Sequence, residues 1–284
     1  MDSIILTFIS SLASAITQVL EKALIKNKNS DPVAFSFVFQ LMVAFIFLTY
    51  SVSTGTFSQP DLSSVWKNIV AMSFLYGLGS VFTFYAYKTA EASEISVIFA
   101  SSALWSVVAA TFLLNEKIGA KQALGMLLVL LSLVIVNIRK TAWRVGWGHI
   151  MAILGAAMFG IAFTNDAFIL NKYESVPSYM VIAFALPSFV SLVFKPRAVF
   201  DIPHFFKPKV FFGLMACSIF YSLAAISIFS AFKAGGQASV INMLRQSGII
   251  FTVVLSFVFL KERDNMRNKI VGVTLAMAGG LLLV

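Results

Sequence analysis

Long apolar stretches, separated by short polar connections, occupy almost the whole chain. A helix needs roughly 20 mostly apolar residues to cross a bilayer. Ten stretches have about that length: 3–25, 33–52, 65–87, 93–114, 119–138, 147–170, 177–194, 209–232, 237–260 and 267–284. The longest connections, 53–64 and 195–208, are too small to fold as domains. The pattern predicts an all-α membrane protein with ten transmembrane helices and no soluble domain.

The composition also places most of the chain in an apolar solvent. Of the 284 residues, 59% are hydrophobic and 12% are charged, whereas a soluble domain has about 25% charged residues. The net charge of +9 does not indicate nucleic acid, because the Lys and Arg residues lie in short connections and form no patch. The first stretch lacks the basic start of a signal peptide, so we expect it to be the first helix.

The two halves of the chain share a sequence pattern. Residues 89–116 align without a gap with residues 235–262, at an offset of 146 residues. The identical pairs include Ala92/Ala238, Ser93/Ser239, Ser101/Ser247, Val107/Val253, Leu114/Leu260 and Glu116/Glu262. Five predicted helices lie in each half, and an odd number makes the second unit enter the membrane from the other side. We therefore expect two inverted five-helix repeats, 1–140 and 141–284, with a solute site between them near the midplane.

The ends of the two repeats carry a further shared motif. "LLNEKIGAKQALGMLLVLLSLVIV" and "FLKERDNMRNKIVGVTLAMAGGLLLV" each place a Leu-x-Glu sequence before the last helix of a repeat. In these motifs the chain resembles the EamA type of the drug/metabolite transporter superfamily, over essentially its whole length. The resemblance implies a carrier of small metabolites such as amino acids. That family often has a proline about 13 residues before the Glu, where this chain has Ala103 and Ile249; its absence predicts that these helices are unbroken.

Basic residues are distributed unevenly between the two sides of the predicted bundle. Fifteen Lys and Arg residues fall on the side of the first connection and five on the other. Because cytoplasmic connections are richer in Lys and Arg, this count predicts that both termini face outside. The family resemblance implies the opposite orientation, with both termini in the cytoplasm.

A few ionisable residues fall inside the apolar stretches. Each costs roughly 2.5–3.5 kcal/mol at a helix centre, so each is a candidate for function. Arg245 lies about eight residues into the ninth stretch, which is roughly 12 Å along a helix, and Asp166 lies near the same side. We expect the two to form an ion pair. Arg245 either serves as a structural partner of Asp166 or binds an anionic group of the solute, which its planar guanidinium suits.

Polar and aromatic residues of other helices complete the predicted solute site. Phe99 is the repeat equivalent of Arg245, so the charge breaks the internal symmetry. The remaining candidate substrate-binding residues are Asn242, Ser247, Ser101, Trp105, Tyr85 and Tyr221. Glu21 and Asp166 are the candidates for coupling or gating, with a change of protonation if transport is driven by protons.

Some charged and small residues favour a structural role. We expect Lys22 to extend its amine to the headgroups, and Glu116 and Glu262 to act as interfacial caps and hinges at helix ends. Small residues recur every four positions, which lets helices approach closely inside the bundle or at a dimer contact. They are Ala152, Ala156, Gly160 and Thr164 in one helix, and Gly272, Ala276 and Gly280 in another.

Signatures of other function classes are absent from the sequence. It contains no GxSxG, HExxH or P-loop motif, and its two histidines, His149 and His204, do not cluster with other metal ligands. We therefore predict no enzymatic activity, no cofactor and no metal.

The sequence as a whole favours a secondary transporter that moves a small polar metabolite, such as an amino acid or a similar carboxylate-bearing solute, by alternating access. The alternatives are a carrier of nucleotide- or lipid-linked sugars, an intramembrane enzyme or lipid-modifying helper, and a cation channel. The predicted partners are the solute and membrane lipid, in a monomer or homodimer of a multi-pass protein of the cell (inner) membrane.

Overall fold

A computed structural model describes residues 3–26, 30–58, 64–114, 119–139, 142–143, 146–170, 175–233, 248–262 and 264–283. The helices in this part of the chain are α1 Ser3–Ile25, α2 Pro32–Ser53, α3 Trp66–Thr89, α4 Ala92–Phe99, α5 Ser102–Leu114, α6 Ala120–Asn137, α7 Trp147–Leu170, α8 Val176–Phe194, α9 Pro208–Lys233, α10 Gly248–Leu260 and α11 Met266–Leu283. A 3₁₀ helix, Pro196–Phe206, joins α8 to α9. Two-residue strands, β1 Ile138–Arg139 and β2 Ala142–Trp143, form an antiparallel ladder after α6.

Seven helices in the described residues are long and apolar enough to cross a membrane. They are Ser3–Ile25, Pro32–Ser53, Trp66–Thr89, Trp147–Asp166, Val176–Phe194 and Pro208–Ile228, together with Ala92–Ala109, in which α4 and the first part of α5 count as one span. Ala120–Ser132 and Gly248–Leu260 are shorter apolar helices. Apart from the two short strands, the described chain is helical, as in a multi-pass membrane protein, and the count of ten spans stays a prediction.

Local sequence signals set the starts of several helices. Asp31 precedes Pro32 at the start of α2, and its carboxylate accepts hydrogen bonds from the backbone N–H groups of Val33 and Ala34. Ser175 caps α8 in the same way, with Pro177 in the first turn. Both starts combine a side-chain acceptor for unpaired N–H groups with a proline that has no N–H to satisfy.

Helix packing follows a pattern that survives exchange of the two halves. In order along the chain, α1, α2, α3 and α6 of the first half correspond to α7, α8, α9 and α11 of the second. The pair α3 with α7 has its counterpart in α1 with α9, and the pair α3 with α8 has its counterpart in α2 with α9. The pairs α2 with α8 and α6 with α11 are their own counterparts. Exchange of the halves converts each of these pairs into another of them or into itself.

Small residues bring the paired helices close together inside the bundle. A Cβ atom on Gly279 of α11 would lie 2.8 Å from the carbonyl oxygen of Gly125 in α6. Ala152 and Ala156 of α7 are fully buried, as is Ala276 of α11. These contacts place much of the two small-residue stripes in internal packing.

The predicted absence of a break in the fourth span is wrong. Helix α4 ends at Phe99 and α5 begins at Ser102, with a turn at Ala100–Ser101 between them. The backbone N–H of Ser101 donates to the carbonyl of Ile98 at 3.0 Å, three residues back instead of four. The break occurs without proline, at a place where α7 packs closely against it. A Cβ atom on Gly160 of α7 would lie 2.3 Å from the carbonyl oxygen of Ser102.

The helix ends meet on two opposite faces. On one face, Lys88 donates to the carbonyl of Ser30 at 2.7 Å, and Lys195 pairs with Asp31 at 2.6 Å. This face carries the lysine-rich helix ends and is called the basic face below. On the opposite face, Ser175 donates to the carbonyl of Thr56 at 2.6 Å, which ties the start of α8 to the segment after α2.

Candidate functional site

A buried carboxylate near the end of α7 forms the centre of the candidate site. Asp166 is 6% exposed and lies four residues before the end of the helix. Its two carboxylate oxygens accept hydrogen bonds from the hydroxyl groups of Tyr76 in α3 and Tyr179 in α8. Among the described residues, no Lys, Arg or His forms an ion pair with it. These three residues, the Asp166 cluster, hold a polar centre where α3, α7 and α8 meet.

An aromatic row extends from the Asp166 cluster to the break in the fourth span. The ring of Tyr76 meets that of Phe159 edge-on, with 5.4 Å between centroids, and Phe159 in turn meets Phe99 at 5.8 Å. Phe99 is the last residue of α4. Ser101 follows in the turn, 1% exposed, and its hydroxyl has no hydrogen-bond partner among the described residues. The row therefore connects a buried carboxylate with a discontinuous helix, a feature that transporters use at solute and ion sites.

A pair of asparagines fixes α3 to α7 beside the cluster. The side-chain amide of Asn68 donates to Asn165 Oδ1 at 2.6 Å, and the amide of Asn165 donates to the carbonyl of Asn68 at 2.8 Å. Asn165 is adjacent to Asp166 in the chain. The reciprocal bonds hold the end of α7 in register with the start of α3.

A cavity of about 410 Å³ opens near the face opposite the basic face. Its walls come from the end of α2, the segment that follows it, the start of α8 and the end of α9, and include Tyr50, Thr56, Phe57, Pro177, Met180 and Ile226. None of the predicted site residues in the described part of the chain lines it. Met180 lies beside Tyr179 in the chain, so the cavity wall and the Asp166 cluster share the first turn of α8.

The basic face is closed by Glu262, which binds the start of α4. Its carboxylate accepts hydrogen bonds from the N–H of Ala92 at 2.9 Å, and from the N–H and hydroxyl of Ser93 at 3.1 and 2.8 Å. A carboxylate at a helix N-terminus satisfies unpaired donors and interacts favourably with the helix dipole. This arrangement, the Glu262 cap, joins the end of α10 to the start of α4.

The unusual end of α10 directs Glu262 toward α4. The last turn, Ser256–Leu260, is π-helical, and Lys261 follows in the left-handed conformation with φ of 58°. Single π-helical turns are frequent at functional sites. Glu262 acts as a cap, as expected, but it is buried and caps another helix, so the expected interfacial position is wrong; its role as a hinge stays a prediction. Glu116, its repeat equivalent, lies outside the described residues.

Lys22 does not extend to the headgroups as the sequence led us to expect. It is 7% exposed, and its amine donates to the carbonyl oxygens of Tyr87 at 2.5 Å and Ala90 at 2.6 Å. These carbonyls belong to the C-terminal end of α3, where cations are favoured by the unpaired acceptors. The prediction failed because these acceptors come from a helix that is distant in the sequence.

Two further pairs complete the basic face. Lys269 of α11, which is fully buried, forms a salt bridge with the partly exposed Glu91, which immediately precedes α4. Burial raises the pKa of the Glu91 carboxyl above its ordinary value, against the opposing effect of the hydrogen bond and charge of Lys269. His149 Nδ1 accepts from the N–H of Gly146 at 3.1 Å, so Nε2 carries the proton and donates to Glu94 at 3.2 Å.

Glu21 is buried near this face, adjacent to Lys22. It is 6% exposed and has no hydrogen-bond or ion-pair partner among the described residues. Tyr87 of α3 and Cys217 of α9 are close enough to interact with its charge. The carboxyl thus lies between α1, α3 and α9, on the opposite side of the bundle from Asp166, as expected.

Residues 1–138 and 146–284 each match the EamA-like transporter family. The chain belongs to this family. The two matches divide this EamA-like transporter into two similar halves. A solved structure described as "Crystal structure of protein" has the same fold, with a TM-score of 0.64 and 15% identity over 99% of this chain and 95% of that one. No curated protein matches the transporter in sequence.

The structure brings some of the predicted site residues of this EamA-like transporter together and separates others. Ser101 and Trp105 share the segment at the break, and Trp105 packs beside Gly160 of α7. Tyr221 meets Phe39 and Phe184 edge-on, each at 5.4 Å. Tyr85 lies apart from them, close to Asp31 and Lys195 on the basic face. Arg245, Asn242 and Ser247 lie outside the described residues.

Sequence reasoning missed the two tyrosines that bind Asp166. Distance from the helix end could have indicated Tyr179. It lies three residues after the start of α8, and Asp166 lies four residues before the end of α7. Two helices joined by a short connection bring such residues to a similar depth. Tyr76 is ten residues into α3, and depth alone gives no comparable signal for it.

Proposed function

We propose that this EamA-like transporter is a secondary carrier of a small polar metabolite, with ten transmembrane helices in two inverted repeats, 1–140 and 141–284. The repeat is supported by the two family matches and by helix packing that survives exchange of the halves. Five helices per repeat imply inversion. Such carriers bind solute between their repeats and expose the site to each side in turn.

The observation that carries the proposal is the Asp166 cluster, a carboxylate buried among helices of both halves. A buried charge is costly and is retained where it acts on a solute, an ion or a partner charge. The solute we propose is an amino acid or a similar carboxylate-bearing metabolite, with Arg245 binding its carboxylate and Asp166 as the resting partner of Arg245. Tyr76 and Tyr179 hold the Asp166 carboxylate when Arg245 is engaged by solute.

The Glu262 cap supplies the closed gate of this cycle. It ties α10 to α4 on the basic face, while the 410 Å³ cavity opens near the other face. Access from the basic face requires the cap to separate. The break at Ala100–Ser101 divides the fourth span into two shorter helices, so α4 can tilt away from Glu262 while α5 stays packed on Gly160.

A ligand screen by thermal shift tests the proposal. A ligand that binds the folded protein at 100 times its Kd stabilises it by about 2.7 kcal/mol. Amino acids or other carboxylates should raise the melting temperature of the parent. The double variant Arg245→Ala, Asp166→Asn should lose the response, and Arg245→Lys should weaken it. Stabilisation by nucleotide-linked sugars alone would favour the alternative carrier.

Proton coupling through Glu21 or Asp166 is tested separately in liposomes. A solute that raises the melting temperature is supplied to one side, and proton movement is recorded with an internal pH-sensitive dye. Glu21→Gln or Asp166→Asn should abolish solute-driven proton flux if the replaced carboxyl carries the proton. Undiminished flux in both variants would contradict the coupling role. Solute uptake without proton flux in the parent would indicate facilitated transport.

The proposal also assigns the protein's setting. We place it in the cell (inner) membrane, as a monomer or homodimer that acts as a carrier and not as an enzyme. An intramembrane enzyme or lipid-modifying helper requires a catalytic polar cluster at one face. A product formed from a bound ligand by the purified protein would favour that alternative.

A further inference from the structure

Between α8 and α9, the chain presents aromatic rings and cations together on the basic face. The 3₁₀ helix Pro196–Phe206 follows directly after Lys195, which pairs with Asp31 at the start of α2. Lys88 binds the neighbouring Ser30 carbonyl, which places the segment on the same face. Residues 196–209 are called the interfacial segment below.

One side of the interfacial segment is fixed to the helix bundle. Ala198 and Phe205 are fully buried, and the ring of Phe205 meets Phe35 of α2 edge-on at 5.7 Å. Phe35 also packs against Phe84 of α3, with 4.6 Å between ring centroids. The segment therefore has a defined orientation relative to the transmembrane helices.

The other side is exposed and apolar. Residues three apart lie above one another in a 3₁₀ helix, so Arg197, Phe200, Pro203 and Phe206 form one row. Phe200 is 81% exposed and Phe206 is 60% exposed. The ring of Phe206 stacks on Phe211 at 6.1 Å, which continues the aromatic surface into the first turn of α9.

Cations surround this aromatic row. Arg197 starts it, and Lys207 and Lys209 follow its end, all three exposed. The acidic residue of the segment is Asp201. The exposed side is therefore positively charged at both ends and apolar between them.

The backbone of the segment excludes the hydrocarbon core as its location. Pro196, Pro203 and Pro208 lack N–H donors, and a 3₁₀ helix interrupted by proline leaves carbonyl groups unpaired. Unpaired backbone groups exposed to lipid tails are not tolerated. The exposed rings of Phe200 and Phe206 would in turn be unfavourable in bulk water. The headgroup layer satisfies both requirements.

We propose that the interfacial segment binds anionic phospholipid, with Arg197, Lys207 and Lys209 on the headgroup phosphates and Phe200 and Phe206 among the upper acyl chains. Apolar side chains combined with Lys and Arg bind anionic membrane surfaces in this manner. The site is independent of the solute and of the proposed transport cycle. It adds a lipid of defined charge as a partner.

A titration with lipid in detergent tests this inference. The purified protein is titrated with phosphatidylglycerol and, separately, with phosphatidylcholine of the same chains, and its melting temperature is recorded. Phosphatidylglycerol should stabilise the parent in a saturable manner and phosphatidylcholine should not. In Lys207→Gln, Lys209→Gln the half-saturating concentration should rise roughly tenfold or more, from the attraction that each cation contributes near an anionic surface.

The matched control removes two exposed lysines from the opposite side of the bundle. Lys67→Gln, Lys121→Gln has the same net charge as the test variant and should respond like the parent. Phe200→Ser, Phe206→Ser keeps all the cations and should also weaken the response. Equal titrations of the two lysine variants would overturn the proposal, as would stabilisation by glycerol phosphate, which has no acyl chains.

Discussion

The carboxylate of Glu262 accepts hydrogen bonds from both the backbone N–H and the hydroxyl of Ser93, which lies 169 residues earlier in the sequence. The bond connects α10 of the second half to the first turn of α4 in the first half. It is made between the two stretches that share the internal sequence pattern. A contact between repeats at a helix N-terminus is well placed to control their relative movement.

Glu262→Gln should open this contact more often. Hydrogen bonds to a charged group are worth about 1.5–3 kcal/mol, so the exchange of the Ala92 and Ser93 amide hydrogens should accelerate roughly tenfold or more. Hydrogen exchange followed by mass spectrometry of the peptide that contains them measures this change. Asp264→Asn removes an exposed carboxylate two residues away and should leave the exchange unaltered. Equal exchange in all three proteins would show that the cap does not hold α4.

Tyr76→Phe and Tyr179→Phe should each destabilise the protein through the Asp166 carboxylate. Each substitution removes one hydroxyl donor from a buried charge, at a cost of about 1.5–3 kcal/mol. In an Asp166→Asn background the cost should be smaller, since a hydrogen bond to a neutral amide is worth only about 0.5–1.5 kcal/mol. Thermal unfolding of the single and double variants forms the cycle. Additive losses in it would mean that the tyrosines act independently of Asp166.

Gly160→Ala should disrupt the packing of α7 against the break in the fourth span. The added Cβ would lie 2.3 Å from the Ser102 carbonyl oxygen, a backbone atom that cannot move alone. Overpacking of this kind costs about 1–3 kcal/mol, more than the gain of up to about 1 kcal/mol from alanine in a helix. The control, Gly213→Ala in α9, meets only the flexible end of Leu24 and should be tolerated. A melting temperature unchanged by Gly160→Ala would contradict this packing.

The pair of Lys195 and Asp31 should contribute to stability only below strongly alkaline pH. The hydrogen bond that Lys195 donates to the Asp31 carboxylate raises the pKa of Lys195 above its ordinary value of 10.5. The contribution is therefore complete below pH 10.5 and lost as the pH rises through the raised pKa. Because Lys195 is partly exposed, we expect less than about 1 kcal/mol. The melting temperatures of the parent and Lys195→Gln should differ slightly at pH 8 and converge above the raised pKa; a constant difference would exclude the ion pair as its cause.

The basic face should be cytoplasmic, with both termini outside, if the charge count governs insertion. The structure gathers lysine-bearing helix ends on one face, which is the distribution that the positive-inside rule describes. A green fluorescent protein fused to the C-terminus should then fail to fluoresce, and alkaline phosphatase at the same position should be active. The reverse result would establish the orientation that is usual for the family.

The sequence determined the helices and their duplication. Stretches of about 20 apolar residues form helices in lipid because only intrahelical hydrogen bonds can satisfy the backbone there. The bounds of α1, α7 and α8 follow the apolar stretches within a residue or so. The repeated stretches and the Leu-x-Glu motifs indicated two related halves and the family. Each of these signals lies within a short window of residues.

Contacts between distant helices were decided by the tertiary structure. Lys22 is an interfacial residue by its position in the sequence, yet it caps α3, because the Tyr87 carbonyl is brought to it by the packing of α1 on α3. A buried carboxylate such as Asp166 requires hydrogen-bond donors, but the sequence alone did not indicate that Tyr76, of all the tyrosines, would be one of them. The break at Ala100–Ser101 occurs without proline where the backbone of α7 packs closely at Gly160. A side chain's partner depends on which helices become neighbours, and that is fixed by the packing energy of the whole bundle, which no local pattern records.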